Sequence, residues 1–316
     1  MKTKVFIDGS EGTTGLRIHE RFALRDDVEL LTIDPEKRKD PAERAKLINA
    51  SDITFLCLPD VASVESVSLV ENENVRIIDT STAHRTNDAW AYGFPELNKE
   101  QREKIRCSKR IAVPGCYATG FISIAAPMVQ SGLMSPDYPV SAFAVSGYSG
   151  AGKKAIAVYE GDEKPAEFDS PRQYALTQQH KHIPEMQKMS GLRRPPLFSP
   201  IVDDYYAGMF VSLPFYTDLL NDVKGPEKVH EMLMAHYEGE AFVKVMPLGA
   251  EAENNGFIAA NTLAGYDGLE LYVTGNEERI VVTSRFDNLG KGASGAAIQC
   301  MNILLGCAED KGLRLQ

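Results

Sequence analysis

Residues 4–15 run Lys4-Val5-Phe6-Ile7-Asp8-Gly9-Ser10-Glu11-Gly12-Thr13-Thr14-Gly15, and this stretch decides the fold. Its first five residues have the apolar character of a short buried strand, and apolar residues at helical spacing follow up to Phe22. The glycines between them permit a tight turn and let the backbone approach a pyrophosphate at the N-terminus of the helix. This predicts the strand–turn–helix unit of a dinucleotide-binding domain, with Gly9, Gly12 and Gly15 binding the cofactor. The spacing GxxGxxG departs from the usual GxGxxG, so a glycine turn without a ligand is the alternative.

Predicted strands and helices alternate after this unit. Apolar runs indicate strands at residues 28–33, 53–58 and 75–79, and helical patterns lie between them at residues 41–50 and 64–69. This order is typical of a doubly wound parallel sheet. The fold class is therefore α/β, with a Rossmann-type domain at the N-terminus.

The residues after the second predicted strand bear on the choice of cofactor. Asp34 stands where an acidic residue binds the ribose of NAD, whereas Lys37, Arg38 and Lys39 would neutralise the 2′-phosphate of NADP. A charge run of this kind is also typical of a solvated approach to a helix. Charge alone leaves both cofactors open, with Arg38 as a candidate phosphate ligand.

A cysteine follows a Pro-Gly turn in Val113-Pro114-Gly115-Cys116-Tyr117-Ala118-Thr119. A thiol at the start of a helix meets free backbone N–H groups and the positive end of the helix dipole, which favour the thiolate. The other four cysteines lie in stretches without such a turn. Cys116 is therefore the candidate nucleophile, and a small buried side chain is the alternative.

A nucleophilic cysteine needs a base or an ion-pair partner, and two of the six histidines lie together in Gln179-His180-Lys181-His182-Ile183-Pro184-Glu185. Alternate residues of a strand point to opposite faces, so HxHxxE on a strand would not hold one metal ion. We expect no metal here. One of the two histidines is expected to be the acid/base partner of Cys116, with Glu185 orienting a ring.

Arg85 ends the segment Asp79-Thr80-Ser81-Thr82-Ala83-His84-Arg85, after the fourth predicted strand. Its planar guanidinium suits bidentate binding of a carboxylate or a phosphate. Since α/β sheets bind ligands at the carboxyl ends of their strands, we expect Arg85 to contact the substrate rather than only solvent.

In the second half of the chain, the predicted strands no longer alternate with helices. A strand at residues 142–145 enters the glycine-rich loop Ser146-Gly147-Tyr148-Ser149-Gly150-Ala151-Gly152. Further strands are predicted at residues 209–215, 241–245, 257–263, 269–274 and 279–284. Their hairpin-length links predict a mostly antiparallel sheet in an α+β domain.

The last apolar segment, residues 288–305, has helical spacing and predicts a long helix that packs back on the first domain. We therefore expect a dinucleotide-binding domain of residues 1–116, completed by residues 288–316. Residues 117–287 are expected to form a catalytic and dimerisation domain.

Composition narrows the class of protein. The 316 residues are 43% hydrophobic and 25% charged, which suffices for two domains with separate cores. A formal net charge of −10 argues against nucleic acid as a partner. No apolar run has the length of a membrane span, no signal-peptide core is visible, and the five cysteines have no paired spacing. We expect a cytoplasmic protein that acts on a small molecule.

Several segments, taken in order, resemble the N-acetyl-γ-glutamyl-phosphate reductases in their shorter form. They are residues 9–15, 81–85, 113–119, 146–152, 180–185 and 288–295. The resemblance implies a reductase of arginine biosynthesis that uses NADPH and shares its fold with aspartate-semialdehyde dehydrogenase. In that sister family the cysteine commonly follows Asn, whereas this chain has Gly-Cys-Tyr-Ala-Thr.

The resemblance also implies roles for single residues. It makes Cys116 the nucleophile and places the acid/base residue in His180-Lys181-His182, where we favour His180 over His182. The positions that it implies for the substrate site are Arg85, Ser149, Tyr174, His182 and Glu185. Those that it implies for the cofactor are Gly12, Thr13, Thr14, Asn288 and Lys291. Asp34 departs from an NADP site, because an acid sits unfavourably beside a 2′-phosphate.

The implied activity is reduction of N-acetyl-γ-glutamyl phosphate to N-acetylglutamate 5-semialdehyde through a thioester on Cys116, with release of inorganic phosphate. A homodimer or homotetramer is expected, because a sheet with one open face favours association. Two alternatives stay open. One is a reductase of aspartyl phosphate or of a carrier-linked aminoadipyl phosphate, and the other is a non-catalytic dinucleotide-sensing protein.

Overall fold

The computed structural model describes residues 2–315. The strands are β1 (Thr3–Asp8), β2 (Val28–Leu31), β3 (Ile53–Leu56), β4 (Arg76–Asp79), β5 (Ala91–Tyr92), β6 (Arg110–Ala112), β7 (Ser141–Gly147), β8 (Arg172–Gln173), β9 (Leu197–Asp203), β10 (Met209–Tyr216), β11 (Val243–Val245), β12 (Leu269–Gly275) and β13 (Arg279–Phe286). The helices are α1 (Thr13–Phe22), α2 (Pro41–Ala50), α3 (Asp60–Ser68), α4 (Lys99–Cys107), α5 (Cys116–Gln130), α6 (Lys153–Tyr159), α7 (Ile183–Ser190), α8 (Pro226–His236) and α9 (Gly295–Leu305). Within residues 2–315, none of these helices is long and apolar enough to cross a membrane.

The chain divides into two compact units. The first contains the residues up to Gly115 together with Ala293–Arg314, and the second contains Cys116–Gly292 together with Leu315. Each unit has its own sheet.

The first unit is built on a parallel sheet with the strand order β2-β1-β3-β4-β6-β5. Its central strands are buried on both faces, as the apolar run from Val5 to Ile7 predicts. Ile298 and Met301 of α9 lie in the same core as Val5 and Phe55, so the C-terminal helix completes this unit. The predicted α/β class is confirmed.

The second unit carries a seven-stranded sheet with the order β11-β12-β13-β10-β7-β9-β8. Four neighbouring pairs are antiparallel, and the pairs β7–β9 and β11–β12 are parallel. α5 is buried from Tyr117 to Met128 and packs against β10 and β13. The prediction of a mostly antiparallel sheet is confirmed.

The predicted strand at residues 257–263 is wrong, because this segment forms turns. Asn255 adopts a left-handed φ of 55° just before it, and Ala264 N–H donates to the carbonyl of Asn261. Phe257 is 73% exposed, so the apolar residues are not buried in alternation. Local turn chemistry outweighs the apolar composition of the segment.

The predicted helix at residues 288–305 begins later than expected. Gly290–Ser294 form a π-helical turn, and the α-helix starts at Gly295. The carbonyl of Asp287 accepts hydrogen bonds from the N–H groups of both Gly290 and Gly292, which widens the first turn.

Candidate active site

Cys116 is the first residue of α5, as the Pro-Gly turn predicts. The first turn of α5 contains no acidic residue, so no carboxylate offsets the positive end of the helix beside the thiol. A Cβ added to Gly292 would lie 2.9 Å from the Cβ of Cys116. Position 292 therefore needs glycine to let this backbone pass close to the cysteine.

A cavity of about 630 Å³ opens beside Cys116 in the second unit. Tyr174 and His180 line it, together with parts of the 146–152 loop, α6 and β8. Ser149, His182 and Glu185 do not lie on its described wall. The structure thus brings three of the predicted residues, Cys116, Tyr174 and His180, to one cavity.

The two histidines occupy a turn before α7, so the strand assumed for HxHxxE is wrong. Their rings lie 4.7 Å apart. His180 is half-buried and faces the cavity, whereas His182 is buried with its Nε2 4.0 Å from Oε1 of Glu185. Burial and exposure to the cavity therefore distinguish the two histidines, whereas the sequence pattern alone does not.

The backbone N–H of His182 donates a hydrogen bond to Nδ1 of His180 at 3.1 Å. An acceptor nitrogen carries no proton, so a neutral His180 ring holds its proton on Nε2. The ring can then donate a hydrogen bond from Nε2.

Tyr117 organises the surroundings of these histidines. The hydroxyl of Tyr174 donates to that of Tyr117 at 3.0 Å, and the Tyr117 ring lies 5.8 Å from His180 and 5.9 Å from His182. Burial raises the pKa of both tyrosines well above the ordinary range, so both stay neutral phenols. Sequence reasoning missed Tyr117, and its only signal was its place next to Cys116.

Three predicted site residues of the second unit make contacts inside that unit, and two of them, Ser149 and Asn288, are hydrogen-bonded to each other. Ser149 is buried and accepts a hydrogen bond from the side-chain amide of Asn288 at 2.8 Å. Lys291 is also buried, and its ammonium lies 4.9 Å from the centre of the Phe242 ring. The structure thus places Ser149, Asn288 and Lys291 in internal contacts of this unit.

Arg85 is buried in the first unit. Its Nε donates to the carbonyl of Val113 at 2.8 Å, and its Nη2 donates to the carbonyl of Thr80 at 2.9 Å. These bonds join the segments that follow β4 and β6. Within the first unit, Arg85 thus fixes the carboxyl edge of the sheet.

The glycine turn fits a bound pyrophosphate. A Cβ on Gly9 would lie 2.4 Å from the carbonyl oxygen of Cys57, and one on Gly15 would lie 2.4 Å from that of Gly9, so both glycines are required by the fold. A Cβ on Gly12 would meet nothing closer than 3.4 Å. Gly12 is the position that keeps space for a ligand. No side chain caps α1, which begins at Thr13, and no acidic residue lies in its first turn.

Asp34 forms hydrogen bonds with the backbone of the turn that follows it. Its carboxylate accepts the backbone N–H of Glu36 at 3.0 Å, and its carbonyl accepts that of Lys37 at 2.8 Å. The side chain thus forms the turn that carries the basic run. Arg38 in this run pairs with Glu11 of the glycine turn.

Sequence reasoning also missed the charge of the cavity wall. Every charged side chain that the structure of residues 2–315 places on it is basic, namely Lys154, Arg172 and Lys181. Lys154 and Arg172 lie in no motif that the sequence analysis used, and Lys181 lies between the two histidines, which drew the prediction instead. The cavity suits an anionic ligand in a protein whose net charge is −10.

Two family descriptions match the chain. The semialdehyde dehydrogenase NAD binding domain matches residues 4–105, and the semialdehyde dehydrogenase dimerisation domain matches residues 116–288.

Named relatives are similar along nearly the whole chain. N-acetyl-gamma-glutamyl-phosphate reductase 2 of Nostoc sp. is 45% identical over 99% of this chain and 99% of its own. The N-acetyl-gamma-glutamyl-phosphate reductase of Sinorhizobium medicae is 47% identical over 96% of this chain and 99% of its own length. The enzyme of the same name from Brucella ovis is 47% identical over 97% of this chain and 100% of its own length.

Solved structures show the same fold at low identity. Aspartate semialdehyde dehydrogenase II of Vibrio cholerae superposes with a TM-score of 0.72 at 16% identity, covering 97% of this chain and 99% of its own. The aspartate semialdehyde dehydrogenase of Francisella tularensis superposes with a TM-score of 0.72 at 14% identity, covering 96% of this chain and 100% of its own.

Proposed function

The chain belongs to the N-acetyl-γ-glutamyl-phosphate reductases of the semialdehyde dehydrogenase fold, and from this we propose that it reduces N-acetyl-γ-glutamyl phosphate to N-acetylglutamate 5-semialdehyde in arginine biosynthesis. It is an oxidoreductase that uses a nicotinamide cofactor. The observation that carries the proposal is that Cys116, at the start of a buried helix, shares a basic cavity with His180.

The first half of the reaction is acyl transfer. The thiolate of Cys116 attacks the acyl-phosphate carbonyl, the bond between that carbon and the phosphate oxygen breaks, and phosphate leaves with the electron pair. Backbone N–H groups at the start of α5 stabilise the oxyanion. The product is a thioester, which accepts hydride far more readily than a carboxylate does.

The second half needs a hydride, which the bound nicotinamide supplies. Hydride addition to the thioester carbonyl leaves a negatively charged thiohemiacetal oxygen. The carbonyl re-forms as the bond between carbon and sulfur breaks, so the aldehyde leaves and the thiolate of Cys116 returns. His180 holds its proton on Nε2, because the N–H of His182 donates to Nδ1. His180 therefore donates a hydrogen bond from Nε2 to this oxygen while it carries the charge, and the buried His182 and Glu185 hold the turn that carries it.

We propose NADP as the cofactor. The N-terminus of α1, with Gly12, Thr13 and Thr14, would hold the pyrophosphate. Arg38 would leave its ion pair with Glu11 and bind the 2′-phosphate instead. The carboxylate of Asp34 keeps its charge and directs one oxygen to the backbone N–H of Glu36.

The dimerisation domain indicates a homo-oligomer. Phe143 of β7 and Tyr216 of β10 lie on one face of the second sheet and are 41% and 59% exposed. We propose that a second copy covers this face in a homodimer, which light scattering would detect. We also propose a cytoplasmic location, since none of the five cysteines forms a disulfide within residues 2–315.

The test is turnover in the reverse direction. Purified protein is given N-acetylglutamate 5-semialdehyde, inorganic phosphate and either NADP or NAD, and reduced nucleotide is followed by its absorbance. We expect phosphate-dependent formation of NADPH. Aspartate semialdehyde and 2-aminoadipate semialdehyde serve as controls, and a faster reaction with either of them would overturn the proposed substrate. Absence of any turnover with a reactive Cys116 would overturn the proposed activity.

A further inference from the structure

The guanidinium of Arg172 is held in a fixed orientation on the cavity wall. Its Cζ lies 3.3 Å from the centre of the Phe168 ring, and its Nη2 donates to the hydroxyl of Tyr159 at 2.6 Å. Tyr159 is itself stacked on Tyr148 with ring centres 4.3 Å apart. A planar cation held against aromatic rings loses little freedom when it binds a ligand.

Among residues 2–315, the structure shows no anionic partner for this guanidinium. Nε is buried and has no hydrogen-bond partner among the described residues. The other charged side chains on the wall described in residues 2–315 are Lys154 and Lys181, which are also basic. A buried, unsatisfied donor on a cation is costly in the absence of a ligand. An anion that enters the cavity would remove this cost.

The cavity wall offers two kinds of cation, one arginine and two lysines, for the two anionic groups of the proposed substrate, its α-carboxylate and its acyl phosphate. Nη2 carries two hydrogens, and Tyr159 accepts only one of them. Nη2 therefore keeps one hydrogen for a ligand, and the planar edge of a guanidinium can bind two oxygens of a carboxylate or of a phosphate. Lys154 and Lys181 are exposed point charges without this planar edge, as suits a mobile phosphate.

We propose that Arg172 binds the α-carboxylate of the substrate and thereby determines specificity for acyl phosphates and aldehydes that carry this carboxylate. This inference rests on the proposed function. Arg172 holds the end of the substrate away from the reacting carbon, while Cys116 and His180 act on that carbon in the same cavity.

The test compares two aldehydes that differ only in the carboxylate, namely N-acetylglutamate 5-semialdehyde and 4-acetamidobutanal. Both are assayed with phosphate and NADP in the wild type, Arg172→Gln and Arg172→Lys. We expect Arg172→Gln to lower kcat/KM for the acid by about 100-fold and for the neutral aldehyde by less than about threefold. Arg172→Lys keeps the charge without the planar edge, so it should lose about tenfold on the acid alone. The exposed Arg194 provides a matched control, and Arg194→Gln should change neither rate.

Equal losses on both aldehydes would overturn the inference, because they would indicate a structural role for Arg172. An increased KM for inorganic phosphate with an unchanged KM for the semialdehyde would also overturn it and would assign Arg172 to the phosphate. If Arg172→Gln does not fold, the pattern of Arg172→Lys decides between these outcomes. A wild type that turns over neither aldehyde would instead overturn the proposed function, and this inference with it.

Discussion

The side-chain amide of Asn288 donates a hydrogen bond to the hydroxyl of Ser149 at 2.8 Å, and both side chains are buried. The amide oxygen of Asn288 accepts the backbone N–H of Gly208 at 2.9 Å. One side chain thus joins the glycine-rich loop 146–152, parts of which line the cavity, to the segment before β10. We therefore propose that Asn288 and Ser149 position this glycine-rich loop.

Replacement of Asn288 by alanine should weaken both folding and catalysis. The Ser149 hydroxyl and the Gly208 N–H lose a buried partner, at about 1–3 kcal/mol for each group left unsatisfied. A double-mutant cycle of Asn288→Ala with Ser149→Ala, read from urea unfolding and from kcat/KM, should give a coupling energy of about 0.5–3 kcal/mol. Strictly additive effects would show that the two residues act separately.

Iodoacetamide should modify Cys116 before the other cysteines at neutral pH. Burial raises the pKa of Cys57 to about 12, and a hydrogen bond to Glu103 raises the pKa of Cys107. A raised pKa means less thiolate at a given pH, so these two thiols should react only in more alkaline solution. Peptide mass mapping across a pH series measures the order, with Cys116→Ser as the control. Earlier labelling of Cys107 would contradict the nucleophile assignment.

His180→Asn and His182→Asn should differ strongly. His180 faces the cavity and donates a hydrogen bond from Nε2, so its loss should lower kcat by about 10²- to 10³-fold. In His182→Asn the backbone N–H that holds His180 is retained, so the loss of kcat should be smaller. The two variants are compared under saturating substrate, with unfolding curves as a check on folding. A larger loss in His182→Asn would reverse the assignment.

Arg38 and Glu11 should have opposite effects on the use of NADPH. Arg38→Gln should raise the KM for NADPH several-fold and leave that for NADH unchanged, since only NADPH carries the 2′-phosphate. Glu11→Gln should lower the KM for NADPH by about twofold, because it removes the competing partner of Arg38 at an exposed, salt-screened site. Equal effects of Arg38→Gln on both nucleotides would exclude the phosphate contact.

A substitution in the core of the first unit should lower the free energy of unfolding far more than a substitution on its surface. Ile298→Ala removes a buried side chain of α9 and should lower the free energy of unfolding by about 2–5 kcal/mol. Leu24→Ala, at a side chain that is 89% exposed, should change it by less than about 0.5 kcal/mol. Urea titration of both variants tests this. Similar losses would mean that α9 does not belong to the core of this unit.

The sequence by itself determined the elements whose signals are local. The strand, glycine turn and helix of residues 4–22 follow from side-chain periodicity and from the backbone freedom of glycine, and the Pro-Gly turn places Cys116 at a helix start. Residues 257–263 show where this reasoning ends, since turn-forming asparagines and an apolar run point to different structures.

Only the tertiary structure decided which side chains face the cavity. His180 and His182 are two residues apart and equivalent in pattern, yet one faces the cavity and the other is packed near Glu185. Arg172 carries no motif, and its orientation comes from contacts with Tyr159 and Phe168. Such contacts depend on the packing of several elements at once, which no local pattern of residues records.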